Sequence, residues 1–235
     1  MSQEPRTIGH YQLGDSIGRG AYGAVYRALD IHTGQVVAIK QVITEGEDKD
    51  DVIASTTHPN IVKYYGYVQT EKDLNIILEY CEGGSLQNTI SKFGQISEKL
   101  VGIFIYQTLA GLDYLHSKEV IHRDIKAANL LSTKSGIVKL SDFGTSRLYD
   151  GKVTMAGSPY WGTLSYQYNI KFIAPEVITM NGATRASDIW SLGCTVIQLF
   201  TGEAPYQKMT VPSALFHMVN NDCPPLPQNA SPVII

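Results

Sequence analysis

A group of polar residues interrupts the apolar stretch VIHRDIKAANLL at residues 120–131. Asp124, Lys126 and Asn129 stand close together there, although the flanking residues favour burial. A carboxylate can accept the proton of a hydroxyl nucleophile, an ammonium can neutralise a phosphoryl group, and an amide oxygen can ligate a hard cation. The spacing therefore predicts phosphoryl transfer, with Asp124 orienting the nucleophile, Lys126 neutralising charge and Asn129 binding a metal.

A second acid follows the next apolar segment. Asp142, in LSDFGTS, comes at the end of the strand-like IVKL. An acid in such a place is often only a turn former. Because it follows Asn129 shortly, Asp142 can also supply the second oxygen ligand for Mg²⁺.

The stretch IGRGAYGAV carries Gly18, Gly20 and Gly23 before Val25. Glycines let backbone N–H groups approach a phosphate closely. A dinucleotide-binding fold is the alternative, and it needs a helix after the glycines and an acid about 20 residues later. Strand-like AVYRALD and VVAIKQV follow instead, without that acid. Lys40 closes VVAIK, and a lysine beneath a glycine loop can reach the α- and β-phosphates.

The elements that hold these residues differ between the two parts of the chain. Short segments rich in β-branched and aromatic residues predict an antiparallel sheet, at residues 11–18, 24–30, 36–42, 61–70 and 74–81. Apolar residues at helical spacing predict three later helices, at residues 98–118, 187–202 and 211–221. In the first helix that spacing is carried by Leu100, Ile103, Phe104, Leu109, Leu112 and Leu115. The chain is therefore predicted to be α+β, with a strand lobe followed by a helix lobe.

Composition excludes several classes of function. The net charge is −3 and no basic block occurs, so a nucleic-acid partner is not expected. No apolar run reaches 18 residues and the N-terminus lacks an apolar leader, so neither a membrane span nor a signal peptide is expected. The three cysteines are scattered, which is typical of reduced thiols in an intracellular protein, and a cytoplasmic location is predicted.

With these motifs in this order, the chain resembles the eukaryotic protein kinase family over residues 11–228, including APE at Ala174–Glu176. The resemblance implies a bilobal fold, with a small β-rich N-lobe at 11–81 and a larger helical C-lobe at 82–228. It also implies ATP and Mg²⁺ as cofactors and a protein as substrate. RDIKAAN and GSPYW resemble serine/threonine kinases. HPNIVKYYGY and SDIWSLGCTVIQLFTGEAPY resemble the kinases atop mitogen-activated cascades or the septation kinases, so a downstream kinase is one expected substrate.

The resemblance also assigns roles to individual residues. Asp124, Lys126 and Lys40 are implied as catalytic, and Asn129 and Asp142 as metal ligands. The implied ATP-binding residues are Ile17, Gly18, Gly20, Gly23, Val25, Ala38, Lys40, Glu79, Cys81 and Ser85.

The hinge and the activation loop receive roles in the same way. In IILEYCEGGSL, Leu78 resembles the gatekeeper, Glu79 and Cys81 would hold adenine through their backbones, and Ser85 would lie near the ribose. Thr154 and Ser158 are the candidate phosphorylation sites. Arg123 resembles the arginine that pairs with a phosphate in kinases activated by phosphorylation.

Three departures from the family pattern accompany the resemblance. Glu45–His58 is too short for the usual helix whose glutamate pairs with the lysine. Gly162–Phe172 is expected to be an insertion between GSPYW and IAPE. The chain is also expected to be truncated at its C-terminus, which would leave Glu176 without an arginine partner. A catalytically impaired nucleotide-binding or scaffold protein, or an incomplete splice product, therefore stands beside the kinase prediction.

Overall fold

A computed structural model describes residues 6–20, 23–43, 57–70, 73–142, 147–148, 170–228 and 230–231. The chain divides into two compact units. The first comprises Met1–His58 and Val62–Cys81, and the second comprises Pro59–Ile61 and Glu82–Ile235. Within the described ranges, every helix falls short of the length or the hydropathy that a membrane-spanning helix requires.

Antiparallel strands form a six-stranded sheet in the first unit, in the order β1-β2-β3-β4-β6-β5. The strands are β1 (Thr7–Ile8), β2 (Tyr11–Gly20), β3 (Gly23–Asp30), β4 (Val36–Ile43), β5 (Tyr64–Gln69) and β6 (Asp73–Glu79). All five predicted strands are present, and the short β1 is an addition that the sequence pattern did not predict. This sheet confirms the predicted strand lobe.

One face of this sheet packs into a small core. Val37 and Ile39 of β4 meet Ile77 of β6 and Ala28 of β3, and all four residues are buried. Because side chains alternate between the faces of a strand, one face of β4 is committed to this core. Each large aliphatic side chain buried here contributes about 1.5–3 kcal/mol.

Gly23 needs to be a glycine for two reasons. Its φ is +142°, a backbone conformation that L side chains rarely adopt. A Cβ at this position would also overlap the carbonyl oxygen of Gln41 on the neighbouring strand. The third glycine of the loop is therefore fixed by the start of β3 as well as by any ligand.

The second unit combines five helices with short strands among its described residues. The helices are α1 (Leu86–Phe93), α2 (Glu98–Ser117), α3 (Pro175–Ile178), α4 (Arg185–Thr201) and α5 (Val211–Asn220). The strands are β7 (Gly84–Ser85), β8 (Val120–Ile121), β9 (Leu130–Ser132), β10 (Val138–Leu140) and β11 (Arg147–Leu148). They form a three-stranded sheet, β10-β9-β7, and a two-stranded sheet, β11-β8. Single 3₁₀ turns cover Ala127–Asn129 and Ile170–Phe172.

Helix α4 begins two residues before the predicted start at Ser187. Thr184 is its N-cap, and Thr184 and Ser187 form a capping box in which each side chain binds the other residue's backbone N–H. Gly202 ends the helix with a left-handed φ of 83°. The boundary differs because Ser187 acts inside the first turn and not as the cap.

Helix α2 buries a different face from the one that its leucines and isoleucines indicate. Phe104, Leu112 and Leu115 are buried as expected. Leu100, Ile103 and Leu109 are instead 38–47% exposed. The buried stripe is completed by Val101, Thr108 and Gly111. Gly111 is small enough to let the carbonyl oxygen of Asn60 lie against the helix.

The end of the expected insertion is packed into the second unit. Ile170 and Phe172 are buried, and the hydroxyl of Ser191 donates a hydrogen bond of 2.6 Å to the Phe172 carbonyl oxygen. The last three residues of the expected insertion therefore form a packed 3₁₀ turn before α3. Residues 162–169 lie outside the described part of the chain.

The Glu176 carboxylate has a partner that the sequence did not indicate. Its Oε1 accepts a hydrogen bond of 2.5 Å from the hydroxyl of Ser187 in the first turn of α4. Glu176 was expected to be a buried carboxylate without a partner, and it is instead half-buried and hydrogen-bonded. The bond joins α3 to α4.

Candidate active site

The three polar residues at the centre of VIHRDIKAANLL form one hydrogen-bonded group. The Lys126 ammonium donates to both carboxylate oxygens of Asp124, at 2.9 Å to Oδ1 and 2.8 Å to Oδ2. The Asn129 amide nitrogen donates to Asp124 Oδ2 and to the Asp124 carbonyl oxygen, both at 2.8 Å. The carboxylate, the cation and the amide therefore lie together, as their spacing in the sequence predicts.

Asn129 is held from both sides. Its N–H donates to the Lys126 carbonyl in the 3₁₀ turn, at 2.9 Å. Its carbonyl oxygen accepts hydrogen bonds from the Ser141 N–H at 2.9 Å and the Ser141 hydroxyl at 3.0 Å. Asp142 follows Ser141 directly, so these bonds bring the start of the DFG segment to the Asn129 backbone. Asp142 has a φ of +65°, which is uncommon for a residue other than glycine.

A buried carboxylate on α4 fixes the backbone in front of Asp124. Asp188 is fully buried; its Oδ2 accepts from the His122 N–H at 2.9 Å, and its Oδ1 accepts from the Arg123 N–H at 2.8 Å. The ring of His116, in the last turn of α2, donates to Oδ2 at 2.8 Å. Asp188 therefore satisfies three donors from two separate segments. This role is not apparent from the sequence, because the position of Asp188 near a predicted helix start gives no sign of it.

His122 links the two ends of the site. Its Nε2 lies 3.0 Å from the Ser141 carbonyl oxygen, and its Nδ1 lies 3.3 Å from the Asp124 N–H. A carbonyl can only accept and an amide N–H can only donate, so the neutral tautomer with its proton on Nε2 satisfies both contacts. This ring is fully buried and connects the segment before Asp142 to Asp124.

Arg123 adopts a strained backbone conformation between these anchors. Its φ is +69°, and non-glycine residues in this region are held there by the surrounding structure. The hydrogen bond from its N–H to Asp188 supplies part of that restraint.

Two further side chains of α4 bind the same loop. Gln198 accepts a hydrogen bond of 3.2 Å from the Ala127 N–H, and its own amide donates to Gln87 on α1 at 2.6 Å. The Thr195 hydroxyl lies 3.5 Å from the Ile125 carbonyl oxygen, although the shorter contact for its single proton is the Ser191 carbonyl at 2.8 Å. Because α4 contacts the loop through Asp188, Thr195 and Gln198, the 3.6-residue period of one helix positions most of residues 122–127.

In the first unit, several of the residues predicted to bind ATP share one face of the sheet. Val25 pairs with Lys40 across β3 and β4, and Gly18 pairs with Val25 across β2 and β3. Directly opposed residues in an antiparallel pair project to the same face, as do residues two apart on one strand. Ala38 therefore shares this face with Lys40, and Gly20 and Gly23 pair at its end. The core described above lies on the opposite face.

The predicted hinge residues have local roles in the structure. Leu78 pairs with Ala38 and lies on the Lys40 face, whereas Glu79 pairs with Val37. The Glu79 side chain also accepts a hydrogen bond from the Lys63 N–H at 3.0 Å. Cys81 is buried.

The remaining predicted ATP-binding residues, Ser85 and Ile17, lie in different local environments. Ser85 caps α1, since its hydroxyl accepts from the Asn88 N–H at 3.2 Å. Ile17 is 45% exposed on β2. Thr154 and Ser158 lie outside the described residues, as does most of Glu45–His58.

The donor set of the second unit suits a hard cation. The Asn129 amide nitrogen is used on Asp124, so the orientation of the side chain leaves its oxygen for another partner. An amide oxygen and a carboxylate oxygen from Asp142 are ligands that Mg²⁺ prefers. The residues present therefore fit a magnesium ion, and the glycine-lined face with Lys40 fits phosphate groups.

The chain belongs to the protein kinase domain family, whose pattern it matches over residues 11–229. Three relatives show which kinases it is similar to. It is 51% identical to cytokinesis protein sepH of Emericella nidulans over 235 residues, which is 95% of this chain and 17% of that protein. It is 49% identical to cell division control protein 7 of Schizosaccharomyces pombe, over 93% of this chain and 21% of that protein. It is also 49% identical to MAP3K epsilon protein kinase 1 of Arabidopsis thaliana, over 95% of this chain and 17% of that protein.

These relatives confirm the predicted resemblance to serine/threonine kinases of the septation and mitogen-activated groups. The α+β fold, with a β-rich unit and a helical unit, is confirmed as well. The chain spans only about a fifth of the length of each of these three relatives.

Proposed function

We propose that the chain transfers the γ-phosphoryl group of ATP to a serine or threonine hydroxyl of a protein. The observation that carries this proposal is the Asp124–Lys126–Asn129 group, in which a carboxylate, a cation and an amide lie within hydrogen-bond distance of one another. If residues 124–129 formed only a charged surface loop, these side chains would be solvated separately, because ion pairs between exposed side chains contribute little free energy.

The acceptor hydroxyl would bind Asp124. Among the described residues, Oδ2 of Asp124 accepts two hydrogen bonds and Oδ1 accepts one. A carboxylate oxygen has about two lone-pair positions, so Oδ1 retains room for a hydroxyl donor. The backbone bonds to His122 and Asp188 keep this oxygen in place, so that Asp124 can orient the hydroxyl and accept its proton.

The other polar residues would bind the phosphates. Lys126 would leave Asp124 in part to neutralise the transferring phosphoryl, and Lys40 would bind the α- and β-phosphates against the glycine face. Asn129 and Asp142 would hold Mg²⁺, which supplies charge neutralisation at the phosphate oxygens. Most of the rate enhancement would therefore come from alignment and electrostatics.

The substrate is proposed to be a protein in a signalling cascade. The names of two relatives, MAP3K epsilon protein kinase 1 and cytokinesis protein sepH, support a downstream kinase as that protein. RDIKAAN, in which Lys126 follows the proposed base, supports serine or threonine as the acceptor.

The test compares phosphotransfer from labelled ATP to a generic acceptor protein by the wild-type chain and by Asp124→Asn. We expect the variant to lose about 10²–10⁴-fold in rate, the usual contribution of general-base catalysis. Asp113→Asn is the matched control, because Asp113 is exposed on α2 of the same unit. Equal transfer by the wild type and Asp124→Asn would refute the assignment of the base.

A second measurement separates binding from turnover. We expect Asp142→Ala to abolish Mg²⁺-dependent ATP binding, measured by calorimetry, while Asp113→Ala binds as the wild type does. Unchanged Mg·ATP affinity in Asp142→Ala would refute the metal assignment.

The second candidate function is nucleotide binding without turnover, as in a scaffold. The shortness of Glu45–His58 favours it, since that segment leaves little room for a helix that would orient Lys40. ATP binding by the wild type with no transfer above the enzyme-free background would identify the chain as this second type.

A further inference from the structure

Two histidines and an aspartate meet at one end of the first unit. His10 Nε2 lies 3.8 Å from Asp30 Oδ1, and the rings of His10 and His32 stack with their centroids 4.6 Å apart and an angle of 4° between them. One ligand atom from each of the three residues lies within 4.8 Å of the other two. Within the described residues, this is the one group of three or more such side chains close enough to share an ion.

Backbone hydrogen bonds hold the three positions together. His10 lies in the turn between β1 and β2, and its carbonyl oxygen accepts from the Ile31 N–H at 3.1 Å. The next residue, Tyr11, pairs with Asp30 at the end of β3. His32 lies in the β3–β4 turn, which is closed by a bond of 2.8 Å from the Gly34 N–H to the Asp30 carbonyl. The ligands therefore stand on two turns that the sheet already brings side by side.

Backbone hydrogen bonds orient the carboxylate of Asp30. Asp30 is 8% exposed, and its Oδ1 accepts from the His32 N–H at 2.9 Å and the Thr33 N–H at 3.3 Å. Both backbone donors bind Oδ1, and this is also the oxygen that lies 3.8 Å from His10 Nε2.

The donor set selects a class of metal. Imidazole nitrogen suits Zn²⁺, Cu²⁺ and Ni²⁺, whereas Mg²⁺ and Ca²⁺ prefer sites built entirely of oxygen. Two imidazoles and one carboxylate form a three-ligand set that leaves a further position for water. Neither ring makes a side-chain hydrogen bond to any other described residue, so binding a metal would break none.

Only a modest rearrangement is needed to close the site. Tetrahedral ligands about 2.0–2.1 Å from Zn²⁺ lie roughly 3.3 Å from one another. The His10–Asp30 pair is within about half an ångström of that separation at 3.8 Å. His32 is exposed, so its ring can rotate out of the stack and direct a nitrogen toward the other two ligands.

The group is separate from the proposed nucleotide face. Asp30 and Tyr11 pair at one end of β2 and β3, whereas Gly20 and Gly23 pair at the other. The nine residue steps from Tyr11 to Gly20 at about 3.3 Å each place the two ends roughly 30 Å apart.

We propose that His10, Asp30 and His32 form a binding site for one borderline divalent transition metal, Zn²⁺ in the first instance. The bound ion would join the β1–β2 turn to the β3–β4 turn and so stabilise the strand unit.

The test is calorimetric titration of Zn²⁺ into the untagged, chelator-treated chain, with excess Mg²⁺ present so that all-oxygen sites are occupied. We expect one site that requires both histidines. His32→Asn and His10→Asn should each weaken it by at least about tenfold, because even the loss of an outer partner of a metal ligand costs 10–100-fold in affinity. His217→Asn, on α5, is the matched control and should bind as the wild type does.

Thermal unfolding gives an independent readout. Free Zn²⁺ at one hundred times its dissociation constant should lower the unfolding constant of the strand unit about a hundredfold, and this shift should vanish in His32→Asn. Zinc bound elsewhere, such as at the exposed Cys223, would survive the histidine substitutions. Binding that persists in both histidine variants, binding that needs only one histidine, or no binding at all would each overturn the proposal.

Discussion

Replacing Asp188 tests whether a single buried carboxylate positions the catalytic loop. Asp188 accepts hydrogen bonds from the backbone N–H groups of His122 and Arg123 and from the ring of His116. Asp188→Ala leaves all three donors without this acceptor in a site with no exposed surface. Asp188→Asn is more selective, because an amide presents one oxygen and one donating nitrogen.

The magnitudes follow from the number of donors lost. A buried donor without an acceptor costs about 1–3 kcal/mol; the His122 N–H is buried and the other two donors are partly buried, so Asp188→Ala should lower the free energy of unfolding by roughly 3–6 kcal/mol. With its oxygen in the place of Oδ2, Asp188→Asn keeps the bonds to His122 and His116 and sets its NH₂ against the Arg123 N–H. It should therefore cost about 1–3 kcal/mol. Domains are stable by about 5–15 kcal/mol, so the asparagine variant should fold and the alanine variant should be largely unfolded at moderate temperature.

The assay is urea unfolding followed by the fluorescence of Trp190 on α4, in a Trp161→Phe background so that only one tryptophan reports. Asp113→Asn serves as the exposed control and should lie within about 0.5 kcal/mol of the background. Phosphotransfer by Asp188→Asn should fall about tenfold to a hundredfold, because small misplacements of catalytic groups are that costly. An alanine variant within about 1 kcal/mol of the background, or equal costs for the alanine and asparagine variants, would refute the anchoring role.

Three further outcomes are expected. In thiol titration of the native chain, Cys223 should react quickly because it is exposed, whereas Cys81 and Cys194 should react only on unfolding. Burial raises the pKa of Cys194 to about 12, so little reactive thiolate forms there. Three fast-reacting thiols would contradict this prediction. Gly23→Ala should weaken ATP binding and destabilise the strand unit by more than about 1 kcal/mol in urea unfolding. The reason is that φ of Gly23 is positive and the Gln41 carbonyl oxygen fills the space that a Cβ would need. Wild-type stability of this variant would contradict that reasoning. Deleting residues 162–169, which keeps the buried turn Ile170–Phe172, should raise phosphotransfer in the labelled-ATP assay by shortening the acceptor loop, and lower transfer would mean that the deleted segment is needed.

The local part of the site could be predicted from the sequence. Asp124, Lys126 and Asn129 lie within six residues, and a single 3₁₀ turn is enough to bring the three side chains together. The common face of Val25, Ala38 and Lys40 follows equally from alternation along two paired strands. Short-range geometry determines both arrangements, so residue type and spacing were sufficient.

The supports of the site could not be predicted in the same way. Asp188 is 66 residues from His122 and 72 from His116, and an aspartate in the first turn of a helix ordinarily indicates favourable interaction with the helix dipole. Only the packing of α4 against the loop turns this residue into an acceptor for three donors from two distant segments. The same limit explains the exposed Leu109 on α2, because apolar spacing does not show which face meets a neighbour.

Ser187 has two structural roles, one in the cap of α4 and one in binding Glu176. Ser187 completes the capping box of α4 with Thr184, and the same hydroxyl donates to the Glu176 carboxylate. A hydroxyl has one proton to give, so its bond to Glu176 leaves its lone pairs to accept from the Thr184 N–H at 2.9 Å. The cap of α4 and the attachment of α3 therefore depend on one oxygen atom. Since α4 also carries Asp188, Thr195 and Gln198, the start of this helix couples the APE segment to the loop that holds Asp124.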